Sequence, residues 1–530
     1  MRYFNTAGPS VAGQHYMIDP LARLDFPEVL ALIEQQRYFV LHAPRQTGKT
    51  TCLLAFMAHL NQEGRYRALY ANIEAAQAAR NDVEHGIAIV CSVIAGSIDL
   101  YLHDRTVKEW LFATGKQEPS GSRLFELLRY WTEHDPRPTI LLLDEIDSLV
   151  GDTLISVLRQ IRAGYAQRPG SFPQSVILCG VCDVRDYRIH TAHQEIITGG
   201  SAFNIKTESL RLGNLERMEV DALYAQHTAD TGQVFDPAIF AELWEDTQGQ
   251  PWLVNALGYE MTWKDRELRD RSLPIDWERY RAARERLIQS RATHLDQLAT
   301  RLEETRVRPV IAALMEGEEV EKRFPDDDVR YIEDLGLITS RPQLRIANRI
   351  YREVIPRELT WTIQMVLPEE TLWYLTPERR LDMSKLLTAF QQFFREHSDA
   401  WLERFDYQEA GPHLLLQAFL QRIVNGGGRV NRKYGLGRRR TDLFLEWPLD
   451  ERLGFRGPMQ RVVIELKLLR KTFDKTLREG IEQTADYADR CGADEAHLLI
   501  FDRRAGMSWD ERIWQRQESH EKRMITVWGA

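Results

Sequence analysis

At 530 residues and 43% hydrophobic content the chain exceeds one ordinary core, and two to four domains are expected. Five cysteines over this length exclude a disulfide framework and fit a reducing compartment, and a net charge of -9 excludes a chain that is basic throughout. No run approaches the roughly 18 uninterrupted apolar residues of a spanning helix, and the segment from Met1 to Thr6 lacks a charged flank followed by an apolar signal core, so a cytoplasmic protein with no membrane partner is expected.

Residues 1–205 alternate short apolar runs with helical stretches. Tyr38–Leu41, Ala68–Ile73, Thr139–Leu143 and Ser175–Leu178 read as strands, and strands spaced by helices predict an α/β fold with a doubly wound parallel sheet. The first strand leads into Ala43-Pro44-Arg45-Gln46-Thr47-Gly48-Lys49-Thr50-Thr51. A loop between a strand and a helix turns successive backbone N–H groups toward an anion, and the helix N-terminus adds a favourable dipole. In such a P-loop Gly48 lets the backbone approach phosphates, Lys49 supplies the cation for β- and γ-phosphates, and the Thr50 hydroxyl can ligate Mg2+; Ala43 stands where the usual pattern has glycine. The third strand ends in Asp144-Glu145, which predicts a carboxylate that orients Mg2+ and a general base that polarises the attacking water for ATP hydrolysis. Cys179 and Cys182 have metal-like spacing, but the apolar strand before them and the lack of a second pair predict ordinary packing, and the scattered histidines offer no zinc site.

Residues 206–300 turn helical and charged, as in Trp277–Leu287, and predict a helical lid. From 301 to 358 a helix at Val307–Met315, a second over Asp326–Asp334 and a short hairpin (Leu335–Ile338, Gln343–Asn348) form a winged-helix pattern. Arg341, Arg345, Arg349 and Arg352 could meet DNA phosphates there, but Asp326-Asp327-Asp328 opens the second helix and favours an intramolecular switch. A helical connector is expected over 359–405. Residues 406–530 read helix, strand, strand, strand, helix, strand.

In that last segment Asp442 opens the strand Leu443–Leu445, and Val462–Lys467 forms the next. Period two puts Glu465 and Lys467 on one face, as cleavage of a phosphodiester with Mg2+ requires of its carboxylates and lysine. Arg429–Lys471 carries 12 Lys or Arg against 5 Asp or Glu, a local basic surface suited to a DNA backbone.

Two resemblances extend this reading. Over roughly the first 360 residues the chain resembles the archaeal-type ATPase and STAND branch of the AAA+ class, on Ala43–Thr51, Asp144–Leu149, Gly180–Tyr187 and Gly249-Gln250-Pro251-Trp252. That resemblance implies Gly249 and Pro251 near the nucleotide, Asp183 in a sensor role, and nucleotide-dependent homo-oligomerisation; Arg159, Arg162 and Arg168 are candidates for a finger reaching a neighbouring subunit. Over 405–505 it resembles the PD-(D/E)XK nuclease superfamily, a restriction-endonuclease-like αβββαβ fold, which implies metal binding by Asp442 and Glu465, catalysis by Lys467, an added acid in Glu409, and support from Gln483 and Tyr487. Thr441 replaces the usual proline. The combined expectation is an ATP-binding and ATP-hydrolysing switch that controls a Mg2+-dependent DNA endonuclease domain, with a role in defence against foreign DNA suggested by the architecture alone. The alternative is a non-catalytic, nucleotide-dependent DNA- or protein-binding switch with an inactive nuclease fold.

Overall fold

The computed structural model describes residues 2–183, 188–190, 196–198, 206–289, 301–302, 304–316, 324–341, 343–359, 373–402, 416, 419–420, 428–436, 439–450, 453–469, 472–502, 504, 507–521 and 523–530. They fall into two compact units, Met1–Leu298 with Phe324–Tyr351, and Ala299–Arg323 with Arg352–Ala530. The segment expected as one winged helix is thereby divided. Its helix Arg308–Glu316 belongs to the second unit and its helix Asp326–Asp334 and hairpin to the first.

The first unit is a parallel α/β P-loop fold. In chain order it has α1 (Phe26–Glu34), β1 (Tyr38–His42), α2 (Lys49–Glu63), β2 (Arg67–Asn72), α3 (Val83–Leu102), α4 (Thr106–Ala113), α5 (Ser120–Glu133), β3 (Thr139–Asp144), α6 (Gly151–Ala163), β4 (Ser175–Gly180), the hairpin β5 (Arg188–His190) and β6 (Ile196–Thr198), and β7 (Lys206–Arg211). The sheet order is β2-β3-β4-β1-β7 with every pair parallel. Parallel strands covered on both faces read as continuous apolar runs, and every residue of β1, β3 and β4 is buried. Alternation divides them between two cores. Tyr38, Val40, Leu141 and Leu143 face α3, α5 and α6 through Ile94, Leu127 and Leu158, whereas Phe39, Leu41, Ile140 and Leu142 face α1 and α2 through Val29, Phe56 and Leu60. Helix α3 is long and apolar enough to cross a membrane by length and composition. Here Ile87, Val90, Cys91, Ile94 and Ile98 pack it into the first of those cores. Cys179 and Cys182 are buried, and neither forms a disulfide among the described residues.

Beyond the sheet lie the helices Arg217–Thr231, Ala238–Thr247, Pro251–Tyr259 and Trp277–Gln289, then Asp326–Asp334, the hairpin β8 (Ile338–Thr339) and β9 (Arg345–Ile346), and the first residues of the helix Arg349–Leu359. Asp246, 1% exposed, ties this region together. It accepts from Tyr280 Oη and Arg284 Nε, each at 2.8 Å, and its other oxygen lies 3.6 Å from Arg349 Nη1. Arg349 also pairs with Glu242, and Arg345 donates to Gln248 Oε1 at 3.2 Å. Two of the arginines considered for DNA contact are therefore engaged within the fold.

The second unit holds a six-stranded mixed sheet, β10 (Arg429–Leu436), β11 (Arg439–Pro448), β12 (Met459–Leu468), β13 (Glu495–Phe501), β14 (Trp514–His520) and β15 (Arg523–Gly529), ordered β10-β11-β12-β13-β15-β14. β10–β11, β11–β12 and β14–β15 are antiparallel; β12–β13 and β13–β15 are parallel. The helix Phe473–Cys491 crosses from β12 to β13 and packs through Ala485, Tyr487 and Ala488 on Val463, Leu498 and Ile500. Strands β14 and β15 follow the expected strand–strand–strand–helix–strand run as an added pair. The helix expected to open this run lies largely outside the described residues.

Candidate functional site

In the first unit the loop after β1 turns sharply into α2. Gln46 and Gly48 both have positive φ, 59° and 92°, and Gly48 is the N-cap of α2. A side chain at Gly48 would be strained in φ, and its Cβ would come within 2.7 Å of Arg23 Nη1. Thr47 closes the loop on itself by donating to Pro44 O at 2.7 Å. Lys49 is buried, and its Nζ donates to Ala43 O at 2.9 Å and Pro44 O at 3.1 Å. Arg45 is exposed at the loop rim.

Thr50 meets the end of β3. Its hydroxyl donates to Asp144 Oδ2 at 2.9 Å, Tyr70 Oη donates to the same oxygen at 2.9 Å, and Glu145 N donates to Asp144 Oδ1 at 3.0 Å. Asp144 is fully buried and has no cationic partner among the described residues. A buried carboxylate held by neutral donors beside a threonine hydroxyl offers hard oxygen ligands and an uncompensated charge, so the donor set fits Mg2+. Burial and the Asp144 charge push the Tyr70 phenol well up, which keeps it a donor. Glu145 follows with φ 59°, ψ 41°. Burial first, then Asp147, raises its carboxyl above the ordinary range, while Lys49 and Arg45 pull it down. Asp147 accepts from Val181 N at 3.3 Å, and Asp183 is buried just beyond β4.

A cavity of about 120 Å³ opens beside the loop. Gln46, Gly48, Thr51 and Cys52 form its floor, and the N-terminal segment around Asn5–Ser10 and Tyr16–Pro20 forms one wall. Leu215, Leu223, Pro251, Trp252 and Asn255 form the other. Pro251 is among the residues that line this cavity. Gly249 makes that placement possible: its φ is 68°, its carbonyl accepts from Leu215 N at 2.8 Å, and a Cβ there would come within 1.9 Å of Leu215 O. Gln250 caps the following helix by accepting from Leu253 N at 2.6 Å. The N-terminal wall is fastened by Ser10 N donating to Thr51 Oγ1 at 3.0 Å and by Trp252 Nε1 donating to Thr6 O at 3.0 Å.

Sequence reasoning missed Tyr70, Arg23 and the N-terminal wall. Arg23 is a half-buried cation whose pKa is lowered by desolvation and whose guanidinium donates to Thr47 O at 2.6 Å and Gly213 O at 2.8 Å. The loop after β1 is thereby tied to the segment before the helix Arg217–Thr231. The signal available was slight: a buried aromatic pair, Phe4 and Tyr16, in a segment without periodicity. The loop also meets the segment Phe324–Tyr351, because Gly336 lies so close to Pro44 that a Cβ would come within 2.6 Å of Pro44 Cγ, and His42 Nδ1 is 3.5 Å from Asp334 Oδ1. Arg159 and Arg162 are exposed on α6, whereas Arg168 stacks over Tyr165 and Tyr38 and is used internally.

In the second unit β12 brings Glu465 and Lys467 together, with Nζ 2.9 Å from Oε1. Glu465 is 3% exposed. The β11–β12 register pairs Leu443 with Ile464, so Asp442 and Glu465 are the next residues along the two strands. The Asp442 side chain and all of Glu409 lie outside the described residues. Gln483 is exposed on the helix Phe473–Cys491, while Tyr487 is buried beneath it. Among the described residues no three His, Cys, Asp or Glu side chains converge as a metal centre.

No family model matches the chain, and no curated protein matches it. Solved structures do. A Walker-type ATPase of Pyrococcus abyssi is 14% identical, with 66% of this chain and 99% of that one covered at a TM-score of 0.45. Cdc6p from Pyrobaculum aerophilum is 15% identical, with 64% and 93% covered at 0.34. The RuvB Holliday junction branch migration motor of Thermotoga maritima is 12% identical, with 62% and 90% covered at 0.31. At these identities and scores the residues of the site, and not the likeness, carry the functional argument.

Proposed function

We propose that the first unit binds and hydrolyses ATP with Mg2+ and that its nucleotide state controls a Mg2+-dependent DNA endonuclease in the second. The observation that carries the ATPase reading is the convergence of Lys49, Thr50, Asp144 and Glu145, from the loop after β1 and the end of β3, beside a cavity of about 120 Å³. Backbone N–H groups at Thr47–Thr50 and the α2 dipole hold the phosphates, and Lys49 exchanges its loop carbonyls for phosphate oxygens. Thr50 and Asp144 hold Mg2+, which supplies charge neutralisation on the transferred phosphoryl group. Glu145, with its raised carboxyl, takes the proton of the attacking water.

The nuclease reading rests on Glu465 and Lys467, paired on β12 at the register level of Asp442. Asp442 and Glu465 hold the divalent ion; Lys467 positions water at the scissile phosphate. The exposed position of Gln483 favours the rival reading, in which the fold recognises DNA without cutting it. The test is cleavage of supercoiled and linear DNA with Mg2+ or Mn2+, with and without ATP, by wild type, Lys49→Ala and Asp442→Ala. Cutting that vanishes in Asp442→Ala and changes its ATP response in Lys49→Ala supports an ATP-gated nuclease. If wild type and Asp442→Ala bind DNA alike and neither cuts, the rival stands.

A further inference from the structure

Asn255 lines the cavity beside the loop after β1, and its amide oxygen, like that of Gln46, is an acceptor that the ATPase reading does not use. Asn255 sits in the middle of the helix Pro251–Tyr259, where asparagine is a poor helix former, and its Nδ2 donates to Pro251 O at 2.9 Å. That bond fixes the orientation of the amide, since the reverse orientation would set two carbonyl oxygens against each other. The remaining Oδ1 is buried and has no hydrogen-bond partner among the described residues. Asn255 lines the same cavity as Asn5, Thr6, Tyr16, Pro251 and Trp252. A buried acceptor without a donor is costly unless a ligand or water completes it. A phosphate cannot complete it, because phosphate oxygens are themselves acceptors.

Resting on the nucleotide-binding reading, we propose that Asn255 is a specificity-determining residue whose Oδ1 accepts a hydrogen bond from the nucleoside half of the bound nucleotide. Two groups carry this chemistry, the exocyclic amino group of adenine and a ribose hydroxyl. The donors guanine carries are placed differently: oxygen stands where adenine has its amino group. An acceptor in a desolvated wall rejects a ligand lacking the matching donor more strongly than an apolar wall does, because its own hydrogen bond goes unmade.

The experiment is equilibrium binding of ATP, purine riboside triphosphate (no amino group), 2′-deoxy-ATP and GTP to the full chain, as wild type, Asn255→Leu and Asn255→Asp. Lys49→Ala serves as the control for the phosphate site. Wild type should prefer ATP over one of the two donor-deleted analogues by about tenfold, the effect of one unmade hydrogen bond in a buried site. Which analogue suffers identifies the amino group or the hydroxyl as donor. Asn255→Leu should bring the ratio close to one, and Asn255→Asp, which keeps an acceptor oxygen, should retain discrimination; the aspartate also keeps the test decisive if the leucine variant does not fold. A ratio unchanged in Asn255→Leu, or wild type indifferent to both deletions, overturns the assignment and leaves water as the partner of Oδ1. Failure of wild type to bind any nucleotide, or binding unaffected by Lys49→Ala, overturns the nucleotide reading itself.

Discussion

Glu145 is half-buried, and that partial burial first, then Asp147, raises its carboxyl. A base so placed is more basic than a surface glutamate. Glu145→Gln preserves the size and the backbone turn but removes the proton acceptor. ATP hydrolysis should fall by roughly 10²- to 10⁴-fold while nucleotide affinity stays near wild type; phosphate release and a binding titration read the two separately, and a parallel loss in both would deny Glu145 the role of base. Gly249 poses a different problem, one of space. Gly249→Ala forces a Cβ to within 1.9 Å of Leu215 O at a φ of 68°, so a loss above roughly 1–3 kcal/mol, the cost of the backbone conformation alone, is expected. Gly232 has a similar φ of 75° and open space around it, so Gly232→Ala should cost only that conformational part, roughly 1–3 kcal/mol. Chemical denaturation of the two variants side by side tests this, and equal losses would rule out the close approach as the reason for Gly249.

The N-terminal segment and the first lid helix meet at His227, an element-scale contact with a pH signature. Its Nδ1 is 3.1 Å from Tyr16 Oη and its Nε2 is 2.9 Å from Gln233 Oε1. Gln233 Nε2 already donates to Leu268 O and Leu273 O, so Gln233 Oε1 must accept, His227 Nε2 carries the proton, and Nδ1 accepts from Tyr16. The neutral ring is thus satisfied on both sides. Burial lowers its pKa below the ordinary 6.5; the Gln233 bond and Asp230 oppose this, and Arg271 adds to it. The unfolded chain takes up a proton that the native state refuses. The stability contribution is therefore complete above 6.5 and is lost as pH falls through the window below it, by at most about 1.4 kcal/mol per pH unit. His227→Phe should be less stable at neutral pH yet show a shallower decline of melting temperature on acidification; an unchanged slope would assign the acid sensitivity elsewhere. These contacts also mark where sequence reading stops. The strands β1 to β4, the helix Asp326–Asp334 and the helix starting at Trp277 were legible because burial on both sheet faces and helical periodicity write themselves into sequence. The segment before α1 has no such period. It is held by an isolated bridge between Tyr3 and His15 and by the aromatic contacts of Phe4 and Tyr16, so only tertiary structure places it against the phosphate loop. Likewise Glu465 and Lys467 share a face by strand period alone, whereas the division of 301–358 depends on long-range packing that no local pattern encodes.

At the scale of the molecule, a nucleotide switch needs an element whose position the nucleotide site biases and whose continuation belongs to the domain it controls. The candidate for the first is the segment Phe324–Tyr351: Gly336 abuts Pro44 of the loop after β1, Arg211 Nη2 donates to Glu333 O at 2.7 Å, and Arg349 reaches Glu242 and the buried Asp246 on the helix Ala238–Thr247. The second follows from connectivity, because the chain passes from the first unit to the second within the helix Arg349–Leu359, between Tyr351 and Arg352. Arg349 joins the segment to Glu242 and Asp246 on the helix Ala238–Thr247. Arg349→Gln removes one of the two cations beside Asp246 and leaves Arg284, which keeps that carboxylate compensated and the lid folded. The expected phenotype is a separation of functions. ATP binding and hydrolysis persist within a few-fold of wild type, DNA cleavage persists, and the difference between cleavage rates with and without ATP shrinks toward nothing. Measuring both activities on one preparation decides it: a variant that still changes its cutting rate with ATP as wild type does would mean that the signal, if nucleotide controls the nuclease at all, does not travel through the Arg349–Asp246 tie.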